Sequence, residues 1–152
     1  MIRTADELSA LREEWTELHR HVVPHNPFLS WEWTAAHRVH VAPSAMPFVL
    51  TARRRERLVG IAPFRLTRRF GFRVLRFLAE DRSDYLGFLQ ASGHPGLAGN
   101  FLSHLLRLRD HWDLAILRRV CDLDLEVPSA AIPTGLRAYE APGNQAPYLA
   151  FA

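Results

Sequence analysis

Apolar side chains recur at spacings of three and four residues along the N-terminal part of the chain. The series follows a Thr-x-x-Glu capping box at Thr4 and Glu7, and its members are Leu8, Leu11, Trp15, Leu18 and Val22. This spacing predicts one amphipathic helix that ends before Pro24, because the residue that precedes a proline disfavours the helical conformation. A second helix is predicted from Ser30, as the N-cap, to about His40.

The pattern changes from a helical period to strand-forming runs after Pro43. Four β-rich runs follow one another, and they predict strands at 46–54, 57–66, 72–79 and 84–91. A helix opens near Pro95, and its apolar face consists of Leu97, Phe101, Leu105 and Leu108. Beyond this helix, an apolar run predicts a buried central strand at 112–119, and closing strands are predicted at 135–141 and 147–152.

These elements follow the order α-α-β-β-β-β-α-β-β-β. Consecutive strands predict a mixed, mostly antiparallel sheet, and the helix between the runs at 84–91 and 112–119 predicts one βαβ crossover, which precedent makes right-handed. The predicted fold class is therefore α+β, an α/β sandwich. A chain of 152 residues fits a single domain, 1–152. Because the last strand runs to Ala152 without a polar tail, we expect the N-terminal domain of a longer, two-domain protein.

Composition narrows the class of protein. Hydrophobic residues make up 48% of the chain and charged residues 23%, which is ordinary for a globular domain. No apolar run approaches the roughly 20 residues of a membrane span, and the N-terminus lacks the apolar core of a signal peptide, so we expect a cytoplasmic protein. Cys121 is the single cysteine. A single cysteine excludes an internal disulfide and a cysteine-based metal site, and a lone catalytic cysteine is left as an open alternative.

All 19 Lys and Arg residues are arginines. They cluster at 53–57, 65–76 and 118–119, and arginine clusters of this kind can neutralise phosphates. A coding bias that replaces lysine by arginine explains the same composition, and the formal net charge is only +3. We therefore expect no nucleic-acid partner, whereas binding of an anionic small molecule stays open.

Histidine spacing does not indicate a metal site. His21 and His25, like His37 and His40, have spacings compatible with metal binding, but no His-Glu-x-x-His pattern accompanies them. We therefore predict no metal. The chain also lacks the Ser-His-Asp and nucleophile-elbow patterns of hydrolases.

The stretch RSDYLG at 82–87 is the strongest candidate for a functional site. It puts a carboxylate and a phenol, Asp84 and Tyr85, at the start of a predicted buried strand. Gly87 inside that strand is typical of a bulge or of close approach by a ligand. The alternative is structural: Asp84 caps a turn or pairs with Arg82 while Tyr85 packs in the core.

The stretch NPFLSWEW at 26–33 concentrates aromatic surface before the second helix. Trp31 and Trp33 are two residues apart, so on a helix they point in different directions and both cannot be core. We expect one of them to fasten the helix to the sheet and the other to overhang an open cleft. Ordinary core packing is the alternative.

The order of elements and five segments together resemble a known family. The segments are NPFLSWEW, LVGIAPFRL, LRFLAEDRSDYLGFL, WDLAILR and PYLAFA, in this order along nearly the whole chain. As a set they resemble the cellulose-biosynthesis-associated acetyltransferase-like family, which belongs to the GNAT superfamily of N-acetyltransferases and is related to the Fem-type peptidyltransferases. The resemblance implies two acetyltransferase-like domains in tandem, of which this sequence is similar to the first.

The resemblance also implies a function and a set of site residues. The fold implied is the acetyltransferase-like (GNAT) fold, and the activity implied is acyl-CoA-dependent N-acyl transfer in polysaccharide or cell-envelope synthesis, to a small-molecule or saccharide acceptor. Asp84, Tyr85, Trp31 and Trp33 would shape the acceptor pocket. The alternative is a catalytically silent scaffold or interaction domain.

The donor in this family, acetyl-CoA or another acyl-CoA, is bound by a loop of the form Arg/Gln-x-x-Gly-x-Gly/Ala. The loop aligns with GHPGLA at 93–98, in which Gly96 and Ala98 fit the last two positions. Gly93 stands where an arginine or glutamine belongs, and Pro95 removes a backbone donor. We therefore expect a degenerate donor site and weak or absent donor binding by this chain, and the partner domain implied C-terminal to it would carry the more typical donor machinery.

Overall fold

The computed structural model describes residues 1–22, 25–94 and 96–120, together with Arg137 and Tyr139. The helices of this part are α1 (Ala5–Ala10), α2 (Arg12–Arg20), α3 (Trp31–His40) and α4 (Leu97–Arg107). Its strands are β1 (Met46–Arg54), β2 (Arg57–Arg69), β3 (Phe72–Phe77), β4 (Leu89–Gln90) and β5 (Leu114–Ala115). The predicted mixed α+β class is confirmed. None of the helices described is long and apolar enough to cross a membrane.

The first predicted helix forms as two segments, α1 and α2, which meet at Leu11. Its predicted start is confirmed. The Thr4 hydroxyl accepts a hydrogen bond from the Glu7 N–H at 3.2 Å, and the Glu7 carboxylate accepts one from the Thr4 N–H at 3.0 Å. The predicted apolar face packs inward, with Leu8 and Trp15 completely buried.

The second predicted helix, α3, also begins where the sequence indicates. The Ser30 hydroxyl accepts from the Trp33 N–H at 3.2 Å, which caps the helix at its N-terminus. A 3₁₀ turn at Pro27–Leu29 precedes it, and the side-chain oxygen of Asn26 accepts from the Phe28 N–H at 3.0 Å. The whole stretch at 26–33 is therefore held by local hydrogen bonds.

Strand β2 is the centre of the sheet. The strand order is β1-β2-β3-β5, and β4 pairs with β2 outside this order. Strand β1 lies antiparallel along one edge of β2, from Met46 opposite Leu66 to Arg54 opposite Arg57. The other edge is shared, because β3 pairs with residues 64–69 of β2 and β4 with its residues 60–61. Since β5 runs parallel to β3, the sheet is mixed.

The prediction of a continuous strand at 84–91 is wrong. Only Leu89–Gln90 pairs in a ladder, and β4 continues the line of β3 along β2 instead of adding a neighbouring strand. In between, the chain leaves the sheet through a 3₁₀ turn at Glu80–Arg82. The apolar run is explained by core packing, because Leu86 and Phe88 are buried. A short apolar run does not distinguish a strand in a ladder from a buried segment outside the sheet.

The strand predicted at 112–119 is shorter and less buried than expected. Its ladder comprises Leu114–Ala115, and β5 pairs with β3 only, at the end of the described strand order. A separate parallel bridge joins Leu86 to Val120. The segments before and after α4 thus run parallel where Leu86 meets Val120. The right-handedness of the crossover between them remains a prediction. The predicted strands at 135–141 and 147–152 lie outside the described residues, apart from Arg137 and Tyr139.

Helix α4 packs directly on β2 through a glycine. A Cβ atom at Gly60 would lie 2.5 Å from the Leu97 side chain and 3.1 Å from the Phe101 ring, so no larger residue fits without a shift. The helix and the sheet therefore approach closely at this point. The core around it contains the rings of Phe64, Phe77, Phe88 and Phe101, which stack edge to face or tilted at centroid distances of 5.4–6.1 Å.

Candidate functional site

The aromatic stretch at 26–33 lies against the segment that leaves the sheet at 83–85. The Trp33 indole N–H donates to the Ser83 hydroxyl at 2.8 Å. The side-chain amide of Asn26 donates to the Tyr85 carbonyl. The structure therefore brings together two of the stretches that the sequence singled out, although more than 50 residues separate them. We call this surface the Trp33–Asp84 rim, and it consists of Asn26, Trp33, Ser83, Asp84 and Tyr85.

The two tryptophans of the stretch have different environments. Trp31 is buried, and its ring stands edge-on to that of Trp15 at a centroid distance of 5.8 Å. Trp33 is half-buried and stands edge-on to Phe28 at 5.2 Å. Trp31 thus fastens α3 to the core, and Trp33 belongs to the rim.

Asp84 and Tyr85 are both exposed on the rim. One Asp84 carboxylate oxygen accepts from Arg119 Nη1 at 2.9 Å, and the same nitrogen donates to the Ser83 carbonyl at 2.5 Å. The ion-pair partner of Asp84 is thus Arg119 and not Arg82. The Tyr85 side chain is 48% exposed, so it is not a core residue.

Tyr85 also has an unusual backbone. Its φ of 56° lies in the left-handed region, which a bulky side chain rarely adopts. The Asn26 amide holds the Tyr85 carbonyl, and the Leu86 N–H donates to the Arg119 carbonyl at 2.7 Å. Backbone strain held by surrounding hydrogen bonds is characteristic of functional sites.

A second group of polar side chains lies where α3, β2 and the 3₁₀ turn at Glu80–Arg82 meet, and we call it the buried ion cluster. Its members are His37, Arg65, Glu80 and Asp81. Arg65 Nη2 donates to Asp81 Oδ2 at 2.5 Å, and His37 Nε2 lies 3.6 Å from the same oxygen. The Arg65, Glu80 and His37 residues are each at most 5% exposed. Sequence reasoning weighed His37 only as a metal ligand and missed the cluster.

Hydrogen bonding in the buried ion cluster is incomplete. Within the part of the chain that the structure describes, both ring nitrogens of His37, the Nε of Arg65 and one oxygen of Glu80 have no hydrogen-bond partner. The other Glu80 oxygen lies 3.6 Å from Arg76 Nη1 and 3.9 Å from Arg118 Nε, which is too long for a hydrogen bond.

Burial perturbs the ionisation of this cluster. It raises the pKa of the Glu80 carboxyl, against the opposing charges of Arg76, Arg118 and Arg65. It also lowers the pKa of the His37 imidazole, and the Arg65 charge lowers it further. In both cases desolvation favours the neutral form. A signal for the cluster was present in the sequence, because Arg65 and Glu80 interrupt otherwise apolar runs.

The turn before α4 contains the two residues predicted to contact an acyl-CoA donor, Gly96 and Ala98. Gly96 is exposed, has a φ of 78° and precedes the helix without a side-chain cap. Ala98 is buried in the core cluster, so it faces the sheet and not the turn surface. The Leu97 N–H is directed at the His94 carbonyl of the same turn, at 3.4 Å. The Leu97 N–H is thus used within the turn, and the degenerate donor site stays a prediction.

A separate groove of about 360 Å³ lies at the start of β2. Its lining includes Glu14, Glu17 and His21 from the α2 region, Arg57 from β2, and Ser92 and His94 from the loop before α4. None of the predicted acceptor residues lines it. Among the described residues, no three His, Cys, Asp or Glu side chains converge in a way that could hold a metal ion.

Comparisons of the chain with protein-family models, with curated proteins and with solved structures found no match. The fold class therefore stands on the coordinates, and the family enters below as a proposal.

Proposed function

We propose that this chain is the cytoplasmic N-terminal domain of a GNAT-type, acyl-CoA-dependent N-acyltransferase linked to polysaccharide or cell-envelope synthesis, and that it contributes the acceptor pocket. The observation that carries the proposal is the Trp33–Asp84 rim. Two side-chain hydrogen bonds, from Trp33 to Ser83 and from Asn26 to Tyr85, fix the aromatic stretch beside an exposed carboxylate.

The rim has the chemistry that an amino-sugar acceptor requires. Half-exposed aromatic rings offer an apolar face against which the C–H face of a sugar can pack, and their hydrogen-bonding groups hold them in place. Asp84 offers a carboxylate for an ammonium group, and its partner Arg119 is itself on the surface. An acceptor ammonium would share Asp84 with Arg119.

The acyl donor belongs, in this proposal, to a second acetyltransferase-like domain C-terminal to this chain. Two observations support this division of roles: Gly93 stands where the donor loop has an arginine or glutamine, and the Leu97 N–H is directed at the His94 carbonyl within the turn. Trp31 supports the rim indirectly, because its packing on Trp15 sets the position of the first turn of α3.

A catalytically silent scaffold or interaction domain is the second candidate. The observation that favours it is the pairing of Asp84 with Arg119, because an ion pair already in place occupies the carboxylate that an acceptor would use. The two candidates differ in whether the rim binds a small amine.

Indole N–H resonances in ¹⁵N NMR spectra test the proposal. The chain has four tryptophans, and their resonances are assigned by single Trp→Phe variants. We expect D-glucosamine to shift the Trp33 signal, because this N–H is bonded to Ser83, and to leave Trp15 and Trp112 unmoved, because they donate to core carbonyls. Asp84→Asn should remove the shift. N-acetylglucosamine, which lacks the ammonium group, is the matched control.

The result that would contradict acceptor binding is an unmoved Trp33 signal at millimolar glucosamine. That outcome would favour the scaffold candidate.

Calorimetry with acetyl-CoA tests the division of roles. If each missing charge-assisted contact forfeits roughly 1.5–3 kcal/mol, the loss of two weakens donor binding by about a hundredfold or more. We expect weak or undetectable binding and no thiol release with an amine present. Tight binding with thiol release would show that this chain holds its own donor site.

A further inference from the structure

One end of the sheet carries four of the nine large apolar side chains that are exposed among the described residues. At this end β1 starts, β2 ends, and β3 and β5 start, as the pairs Met46–Leu66, Arg69–Phe72 and Val74–Leu114 show. The exposed side chains there are Met46, Phe70, Phe72 and Leu114, and just before β1 come Val39 and Val41.

The β2–β3 tip, residues 68–73, projects beyond its neighbours. Strand β1 ends its pairing with β2 at Leu66, so the last three residues of β2 extend about 10 Å past it, at roughly 3.3 Å per residue. On the far side, β5 pairs with β3 only at Val74 and Leu75. The tip is therefore a convex, two-stranded projection and not a groove.

Two phenylalanines on this tip do little for the fold. Phe70 is 86% exposed and Phe72 60% exposed. Phe70 also has a φ of 51°, a region that a hairpin turn normally fills with Asn, Asp or Gly. A bulky apolar residue is thus held in a strained conformation with its ring in solvent, and folding alone gives no reason for that choice.

Cations accompany the exposed rings. The Arg69 guanidinium lies over the Phe70 ring, 5.3 Å from its centroid, and Arg68 lies beside it on β2. Within the described residues neither arginine forms an ion pair with a carboxylate, whereas Arg73 at the base of the tip is neutralised by Asp113. The tip therefore combines two aromatic rings with two arginines that form no ion pair among the described residues, although the Arg68 charge also acts on Asp113.

We infer that the β2–β3 tip docks on the surface of an anionic lipid bilayer. Phenylalanine rings on an amphipathic surface insert at the boundary between the headgroups and the acyl chains of a bilayer, and arginines beside them are attracted to anionic headgroups. The convex shape fits a soft, flat surface better than a pocket in a protein partner. In this orientation Phe70 and Phe72 enter the headgroup layer while Arg68 and Arg69 contact phosphates. The inference does not depend on the proposed acyltransferase function.

Vesicle co-sedimentation of the 152-residue chain tests the inference. We expect binding to phosphatidylcholine vesicles that contain about 30% phosphatidylglycerol, weak binding to pure phosphatidylcholine, and loss of binding in about 0.5 M salt. Removing both charges by Arg68→Gln and Arg69→Gln should weaken binding about 25-fold, or about fivefold per arginine. Phe70→Ser with Phe72→Ser should weaken it at least about tenfold.

The turn at the opposite end of β2 supplies a matched control. Arg54 and Arg55 are also exposed and adjacent, so Arg54→Gln with Arg55→Gln removes the same charge at the far end of the sheet. We expect less than about a twofold change from this control. Circular dichroism and the unfolding midpoint of each variant verify that the fold is intact.

Three outcomes would overturn the inference. One is equal weakening by the tip and control charge variants, which indicates attraction by net charge alone. Another is unchanged binding after the two phenylalanine substitutions. The third is a concentration-dependent dimer that the phenylalanine substitutions abolish, which would identify the tip as an interface between copies of this chain.

Discussion

Two arginine–aspartate pairs on adjacent strands show how differently the same contact behaves in two environments. Arg65 on β2 meets Asp81 at 2.5 Å, and Arg73 on β3 meets Asp113 at 2.7 Å. The Arg65 side chain is 6% exposed and that of Arg73 is 34% exposed. The distances are nearly equal, whereas the two arginines differ in burial.

The exposed pair is the better hydrogen-bonded of the two. Asp113 accepts from the backbone N–H, Nε and Nη2 of Arg73, and a further Arg73 nitrogen donates to the Asp110 carbonyl. In the buried ion cluster, by contrast, Arg65 Nε is without a partner among the described residues. Hydrogen bonds do not fully offset desolvation in the buried ion cluster. We therefore expect stability to depend more strongly on substitution and on pH in this cluster than at the Arg73–Asp113 pair.

The largest expected effect is that of Arg65→Met. Removing one partner of a fully buried pair costs about 3–5 kcal/mol of unfolding free energy, and we expect about 2–3 kcal/mol here because the Asp81 side chain is 42% exposed. Urea unfolding at pH 7 measures it. Arg53→Met, which breaks the exposed pair with Glu14, is the matched control and should cost about 1 kcal/mol or less. Equal losses in both variants would refute the role of burial.

The pH dependence of His37→Gln is the second expected effect. Because burial lowers the pKa of folded His37 below its ordinary 6.5, the unfolded chain binds a proton that the folded chain resists. This term reduces stability as the pH falls below about 6.5, and His37→Gln removes it. Unfolding midpoints measured from pH 7 to pH 5 should therefore decline less in the variant than in the parent chain. A parallel decline in both chains would contradict the prediction.

Glu80→Gln should stabilise the protein at high pH, whereas His37→Gln should do so at low pH. Burial raises the pKa of folded Glu80 above its ordinary 4.5, so its contribution to stability is present below pH 4.5 and is lost as the pH rises through the folded-state pKa. The neutral, isosteric glutamine avoids that loss. The variant should be more stable than the parent chain at pH 8, and the difference should vanish below about pH 4.5. A variant less stable at pH 8 would show that Arg76 and Arg118 depend on the charge.

Asp113→Asn should give the smallest change in the free energy of unfolding among these variants. The Arg73 guanidinium, as the main hydrogen-bond donor, lowers the pKa of Asp113 from 3.8 to about 2. The pair therefore stabilises the fold above pH 3.8, and this contribution is lost as the pH falls through about 2. A carboxyl ¹³C titration should find the midpoint near 2 and a return toward 3.8 in Arg73→Gln. An Asp113 midpoint that is the same in the parent chain and in Arg73→Gln would contradict the prediction.

The sequence predicts the local elements of this fold well because their causes are local. The Thr4–Glu7 capping box and the Ser30 N-cap each involve residues three apart, so the pattern alone contains them. The strand at 84–91 was predicted wrongly because burial of Leu86 against the core produces the same apolar signal as pairing in a ladder.

The candidate site was predictable only in part. The resemblance singled out Trp33 and Asp84, and the structure puts both on one surface. Arg65 and Glu80 each interrupt an apolar run, but the buried ion cluster depends on contacts between α3, β2 and the turn at 80–82. These elements are distant in sequence, so the pattern marks single residues and does not show that they meet.

The sharing of β2 by three strands has a consequence for the order in which the sheet opens. Gly60 and Ile61 bond to β1 on one edge and to β4 on the other, and residues 64–66 bond to β1 and β3. Each backbone amide here bonds into one ladder, but β2 has a neighbouring strand on both edges at these residues, so we expect exchange to follow global unfolding. Amides at 68–72 of the tip, which lie only in the β2–β3 ladder or its turn, should exchange through local fraying. The protein should thus retain a protected centre while the end that we infer to meet a bilayer opens and closes independently.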